Sequence, residues 1–395
     1  MAGQGPPGSV GEVFLVALRL GLTSFGGPTA HLGLFRREYV DRRAWLDDHA
    51  FGDLLALAQS LPGPSSSQLG IAIGTRRAGI AGGLAAWLGF TLPSAILLLL
   101  LASFATTADV AAAGWVHGLK LAAVAVVAAA LLSMARTLTP DLPRLLVAAL
   151  ACGVALVWVT PVSQVAIIAL GALIGWLVLA PPTARSRDPE PSPIPHRVGV
   201  ACLVLFALLL VGLPVIRSVA ESPVLAQLDA FYRAGALVFG GGHVVLPLLD
   251  ATVVGPGWVS ESAFLAGYGA AQAVPGPLFS FAAYLGSVSS VPPGGWLGGA
   301  VALVAIYLPS FLLLFGTLPM WDRLRASDTF RRALTGTNAA VVGLLAAALW
   351  TPVWTSAVSA PVDVAIVGLG FTLLLTGRVP PIGVVAMCAV LGEIV

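Results

Sequence analysis

Charge is what this 395-residue sequence has least of: Asp, Glu, Lys and Arg make up 10% of it, against 58% hydrophobic residues. With a mean hydropathy of +0.95, too little polar surface remains to cover a water-soluble globule, so the chain is an integral membrane protein. Cysteine is scarce too. Cys152, Cys202 and Cys388 lie in apolar runs at no metal-ligand spacing, which argues against a disulfide framework or a zinc site. The absence of any Cys-His, Ser-His-Asp or metal-ligand cluster argues against a membrane enzyme, and no cofactor is expected. A net charge of +2 says little about a partner, and no nucleic-acid partner is expected. The opening stretch MAGQGPPGSV lacks the basic region of a cleavable signal, so the first hydrophobic segment is expected to be retained.

Long apolar runs are what the sequence does have. Their hydrophobicity is continuous rather than alternating, which points to an all-α polytopic membrane protein and away from a β-barrel. Uninterrupted spans are expected at 79–105, 113–136, 143–159, 162–180, 198–216, 295–318, 332–350, 362–377 and 379–395. Residues 181–197, PPTARSRDPEPSPIPHR, form a proline-rich, charged linker with nothing to bury. Four further apolar segments are interrupted: 12–35 by FGGP, 51–75 by LPGP, 231–249 by FGGG and 261–287 by VPGP.

These interruptions fall in matched pairs. Phe25-Gly26-Gly27 matches Phe239-Gly240-Gly241 at a separation of 214, and Trp45, Gln59, Pro62, Gly63 and Pro64 match Trp258, Gln272, Pro275, Gly276 and Pro277 at 213. Leu92-Pro93-Ser94 matches Leu308-Pro309-Ser310 at 216, and GLKLAAVAVVAAAL from Gly118 resembles GTNAAVVGLLAAAL from Gly336 at 218. The chain therefore divides into an N-terminal repeat (1–180), a linker with one connecting span (181–228) and a C-terminal repeat (229–395). Each copy holds an even number of segments, so the single extra span turns the second copy upside down, the inverted-repeat plan of many secondary transporters. With the linker in the cytoplasm, most arginines of the short loops fall on the cytoplasmic side. The Arg36–Arg43 stretch joins them only if the broken segments are re-entrant, which favours hairpins over full crossings.

About 10 residues on either side of a break reach about 15 Å, half the hydrocarbon thickness, so each tip lies at the midplane. Irregular backbone there is tolerated only where protein or water satisfies it. Pro28, Pro64 and Pro277 stand where new helices would start, presenting free N–H groups and the positive dipole end to the membrane centre. Four such termini, at about half a charge each, offset roughly two negative charges and suit a dianion. One Pro-Gly-Pro alone would read as a packing kink; four breaks in matched pairs point to a site.

The candidate binding residues are Phe25, Gly26, Gly27, Pro28 and His31 at the first break, and Gln59, Pro62, Gly63, Pro64, Ser65 and Gln68 at the second. In the second copy they are Gly240, Gly241, Gly242 and His243, then Gln272, Pro275, Gly276 and Pro277. Gln59 and Gln272 would orient the anion. Lys120, whose counterpart is Asn338, or Arg19 would add positive potential. Proton exchange through His31 or His243 is a further hypothesis.

FGGPTAH at 25–31, QSLPGP at 59–64, FGGGH at 239–243 and QAVPGP at 272–277 together resemble the chromate ion transporter family in its long, two-domain form. That resemblance covers nearly the whole chain. It implies export of chromate, a tetrahedral oxyanion similar to sulfate, from a bacterial cytoplasm across the inner membrane, tied to the proton motive force and giving chromate resistance. The second copy has FGGGH where the first has FGGPTAH, so equal roles for the halves do not follow. Outward movement of two charges from a negative cytoplasm releases about 4.6 kcal/mol per 100 mV, which independently favours export. A sulfate or other oxyanion importer and an anion channel are the alternatives. Protons are a candidate coupling ion, and a homodimer is among the oligomeric states left open.

Overall fold

The computed structural model describes residues 8–25, 27–105, 114–158, 161–180, 192–220, 222–239 and 245–394. These form helices without a strand among the described residues, because a backbone in lipid must satisfy its own N–H and C=O groups. The first half opens with α1 (Val10–Thr23) and α2 (Gly27–Arg36), which continues into a π-helical turn at Arg37–Arg42. Next come α3 (Asp48–Ser60), the Pro62-Gly63-Pro64 break and α4 (Ser65–Ala105). Side chains of Ser9 and Asp47 cap α1 and α3 by accepting the N–H groups of Glu12 and Ala50. α4 folds back on itself at Ala78 and Gly79, where Gly79 has φ +66°. The expected span from residue 79 is thus the second arm of a bent helix.

The half is completed by α5 (Gly114–Leu138), α6 (Leu142–Val157) and α7 (Pro161–Val178), each within a few residues of its expected bounds. Peripheral α8 (His196–Val219) connects to α9 (Pro223–Leu237) and α10 (Val245–Leu249), which runs into a π-helical turn at Asp250–Val254. α11 (Glu261–Ala273) precedes the second Pro-Gly-Pro, a 3-10 turn at Leu278–Ser280 and α12 (Phe281–Val288). Then follow α13 (Gly295–Thr317), short α14 (Trp321–Ala326), α15 (Asp328–Ala348), a further π-helical turn (Leu349–Trp354), α16 (Thr355–Ala357), α17 (Pro361–Thr376) and α18 (Pro381–Ile394). Five helices among the described residues are long and apolar enough to cross a membrane.

The halves interlock. α5 of the first packs on α17 and α18 of the second, while α15 packs on α6 and α7. Matched glycines make both contacts close: a Cβ on Gly118 would come 2.1 Å from the Cys388 carbonyl oxygen, and one on Gly336 would come 2.0 Å from that of Gly171.

Two ends of the molecule differ. At one end Glu12, at the start of α1, lies 3.3 Å from Arg77 and 3.8 Å from Arg43, and both arginines stack over Trp45. The start of α1, the Arg43–Trp45 link before α3 and the bend of α4 are therefore in contact there. Burial alone would raise the Glu38 carboxyl, but hydrogen bonds from Arg43 and Arg42 outweigh it and hold the group below the ordinary carboxylate value. Arg325, after α13, pairs with Asp53 at the same end (3.0 Å). The 23 residues of α13 carry the chain about 35 Å to the other end, where Gln227 Nε2 donates to the Val291 carbonyl (2.7 Å), Ser290 N–H donates to Trp258 and Arg217 stacks over Trp258. Residues flanking α9, α11 and α12 meet there.

Candidate functional site

Between those ends the breaks meet, each against a break of the other half. Gly63 N–H donates to the Val238 carbonyl at 2.6 Å, and Gly276 N–H donates to the Ser24 carbonyl at 2.9 Å. Ser24 and Val238 each directly precede the Phe-Gly-Gly of their half. Both turn glycines have positive φ, +125° and +112°, which a side chain would strain. A Cβ on Gly63 would come 2.4 Å from Ser310 Oγ, and one on Gly276 would come 2.9 Å from Ser94 Oγ. The glycines thus serve both backbone geometry and close approach.

Pro64 and Pro277 stand one position earlier than their expected place, immediately before α4 and before the 3-10 turn. The first-turn N–H groups of α4, at Ser65, Ser66 and Ser67, have no intrahelical acceptor. Gln68 Nε2 reaches back 2.7 Å to the Pro62 carbonyl and fixes the turn. At the second turn Ser280 takes that role, its hydroxyl donating to the Pro277 carbonyl at 2.7 Å.

His31 is buried at the centre of a network. Nε2 lies 3.2 Å from the Ser24 carbonyl, the same oxygen that accepts from Gly276, and Nδ1 lies 3.3 Å from Ser66 Oγ. A neutral ring donating from Nε2 and accepting at Nδ1 satisfies both contacts. Tyr307 of α13 crosses to the first half, its hydroxyl 3.5 Å from Ser67 Oγ and its ring edge-on to Trp87 at 5.5 Å. Among the described residues, the charge available here is partial, supplied by hydroxyls, amides and peptide N–H groups.

Other expected residues are spread more widely. Pro62, Gly63, Pro64 and Gln68 are buried, Ser65 is half-buried, and Gln272, Pro275 and Gly276 are half-buried. The Gln272 side chain hydrogen-bonds the Tyr268 phenol, while its Nε2 is buried without a partner. Gln59 is exposed, so the matched glutamines do not share an environment. Phe25 is half-buried, and Gly27 begins α2, placing Pro28 in its first turn. Gly26, Gly240, Gly241, Gly242 and His243 lie outside the described residues. Lys120 sits near the start of α5 beside Glu261, close to the end that holds His117 and Asp363. Asn338 is half-buried in α15, and Arg19 is on the exposed face of α1. Sequence reasoning did not single out Tyr307, Ser94 or Ser310; the matched Leu-Pro-Ser triplets were the signal available for both serines.

A family profile described as chromate transporter matches residues 11–176 and 225–393. The chromate transport protein of Pseudomonas aeruginosa is 30% identical over 367 residues, covering 87% of this chain and 80% of that protein. A probable chromate transport protein of Synechococcus elongatus is 27% identical (87% and 84% covered), as is the chromate transport protein of Cupriavidus metallidurans (87% and 82%). No solved structure matches the chain.

Proposed function

We propose, from the premise that this chain belongs to the chromate transporter family, that it exports chromate from a bacterial cytoplasm across the inner membrane and so confers chromate resistance. It is a multi-pass membrane transporter and not an enzyme. Supporting the chromate reading above all is the reciprocal seating of the breaks, Gly63 N–H on Val238 and Gly276 N–H on Ser24, which gathers helix starts from both halves around one place. Positive dipole ends and hydroxyl donors suit a tetrahedral dianion without committing a permanent charge. In this reading the broken segments are re-entrant hairpins. Residues 1–180 and 229–395 are inverted copies joined by the 181–228 linker and span.

Membrane potential drives the step: about 4.6 kcal/mol per 100 mV for two negative charges moving outward. Proton exchange is the further element, carried by His31 or His243. A His31→Ala, His243→Ala double variant whose transport keeps its pH dependence would remove that element. Labelled chromate and sulfate flux in proteoliposomes under an imposed voltage tests the whole reading. Chromate efflux from the negative side, with sulfate slower, is expected; inward transport or a preference for sulfate would overturn it. Single cysteines replacing Ala44 and Ala251 are expected to label from opposite sides of the membrane, and labelling from one side would contradict the inverted arrangement.

A further inference from the structure

Each Pro-Gly-Pro turn is covered by a serine from the other half. Ser310 and Ser94 each follow a proline inside a long helix, Pro309 in α13 and Pro93 in α4. Their hydroxyls are what a Cβ on Gly63 or Gly276 would strike. The two hydroxyls differ in one respect. Ser94 Oγ donates to the Thr91 carbonyl at 2.9 Å, whereas Ser310 Oγ, 0% exposed, has no hydrogen-bond partner.

A buried hydroxyl left unpaired is destabilising by about 1–3 kcal/mol, so the chain holds Ser310 at a cost to its own stability. Around it lie the Pro62-Gly63-Pro64 turn and the Gln68 side chain, whose Nε2 is spent on the Pro62 carbonyl. Nothing on α13 requires a hydroxyl at this position, since Ser310 makes no capping or back-bonding contact. The arrangement needs an acceptor from outside the chain.

We propose that Ser310 is a direct contact of the transported oxyanion, donating its O–H to an anion oxygen at the Gly63 turn, and that Ser94 is its tied-off counterpart. This rests on the chromate reading for the identity of the anion, but not for the presence of a tetrahedral oxyanion. The site discriminates by hydrogen bonding. A tetrahedral oxyanion can accept from Ser310 with one oxygen while its other oxygens face the unpaired N–H groups of α4, for which a monatomic halide has no counterpart.

Calorimetric titration of the full-length detergent-purified protein with chromate, sulfate and chloride, beside Ser310→Ala and Ser94→Ala, tests this. Ser310→Ala is expected to weaken oxyanion binding about tenfold or more, the range for a lost hydrogen bond to a charged group. Its melting temperature without anion should equal or exceed that of the parent, because an unpaired buried hydroxyl has been removed. Ser94→Ala is expected to change the dissociation constant less than about twofold, since its hydrogen bond is spent on a carbonyl. Unchanged oxyanion binding in Ser310→Ala, or a fall in its anion-free melting temperature, overturns the assignment while leaving chromate export standing. Binding of sulfate but not chromate by the parent, weakened by Ser310→Ala, supports the assignment and overturns the chromate reading. A parent that binds neither anion overturns both.

Discussion

The Gly63 and Gly276 turns share a backbone bond but not their surroundings. Residues 61–64 are all buried and are held by Gln68 from the helix that follows. Residues 272–276 are half-buried and lead into a 3-10 turn held by Ser280. Matched glycine, proline and carbonyl positions reproduce one backbone geometry twice, while divergent side chains decide how tightly each copy is closed. The backbone geometry recurs in both turns; the side chains around it do not.

The largest effect that can break this comparison is expected from Gly63→Ala. Positive-φ strain and a Cβ 2.4 Å from Ser310 Oγ together are expected to cost about 2–6 kcal/mol, seen as a lost or strongly lowered unfolding transition in detergent. Gly276→Ala has more room, with 2.9 Å to its nearest neighbour, and should lose less. Equal losses would mean that the turns are equally closed.

His31→Ala comes next. It removes contacts to the Ser24 carbonyl and Ser66 Oγ and is expected to cost about 2 kcal/mol in thermal unfolding. Because that carbonyl also holds Gly276, transport should fall even with His243 intact. Gln68→Leu loses the bond to the Pro62 carbonyl and is expected to cost about 1 kcal/mol, whereas Gln59→Leu, at an exposed position, should stay within about 0.5 kcal/mol. A larger effect at Gln59 would restore the equivalence of the two glutamines. Arg325→Ala, which removes a partly buried guanidinium paired with both Asp53 and Asp322, is expected to cost about 1 kcal/mol, reduced in high salt.

Much of the fold was legible because length and continuous hydrophobicity are strong signals, and the expected spans coincide with α5, α6, α7, α13 and α17 to within a few residues. The breaks were legible for the same reason in reverse: Pro62-Gly63-Pro64 cannot continue a helix. Three kinds of feature were not. The π-helical turns at 37–42 and 250–254 differ from ordinary helix by one residue of register, which composition does not encode. Asp229 is fully buried between Arg217 and Arg233; its i,i+4 pairing with Arg233 is visible in the sequence, whereas Arg217 reaches it across a chain turn that leaves no periodic trace. The partners of the Gly63 and Gly276 amides are backbone carbonyls, and every residue has one. Only the packing of α13 over the first turn makes Ser310 different from any other serine in an apolar helix.

The central claim is that the anion is held where the broken segments of the two halves cross. Locating chromium by its anomalous scattering in crystals of the chromate-bound protein tests it most directly. The account predicts one peak beside the Gly63 turn, within hydrogen-bond reach of Ser310 and the first turn of α4. A peak elsewhere, such as beside Lys120 and Glu261, with the Gly63 turn closed among its own side chains, would contradict it.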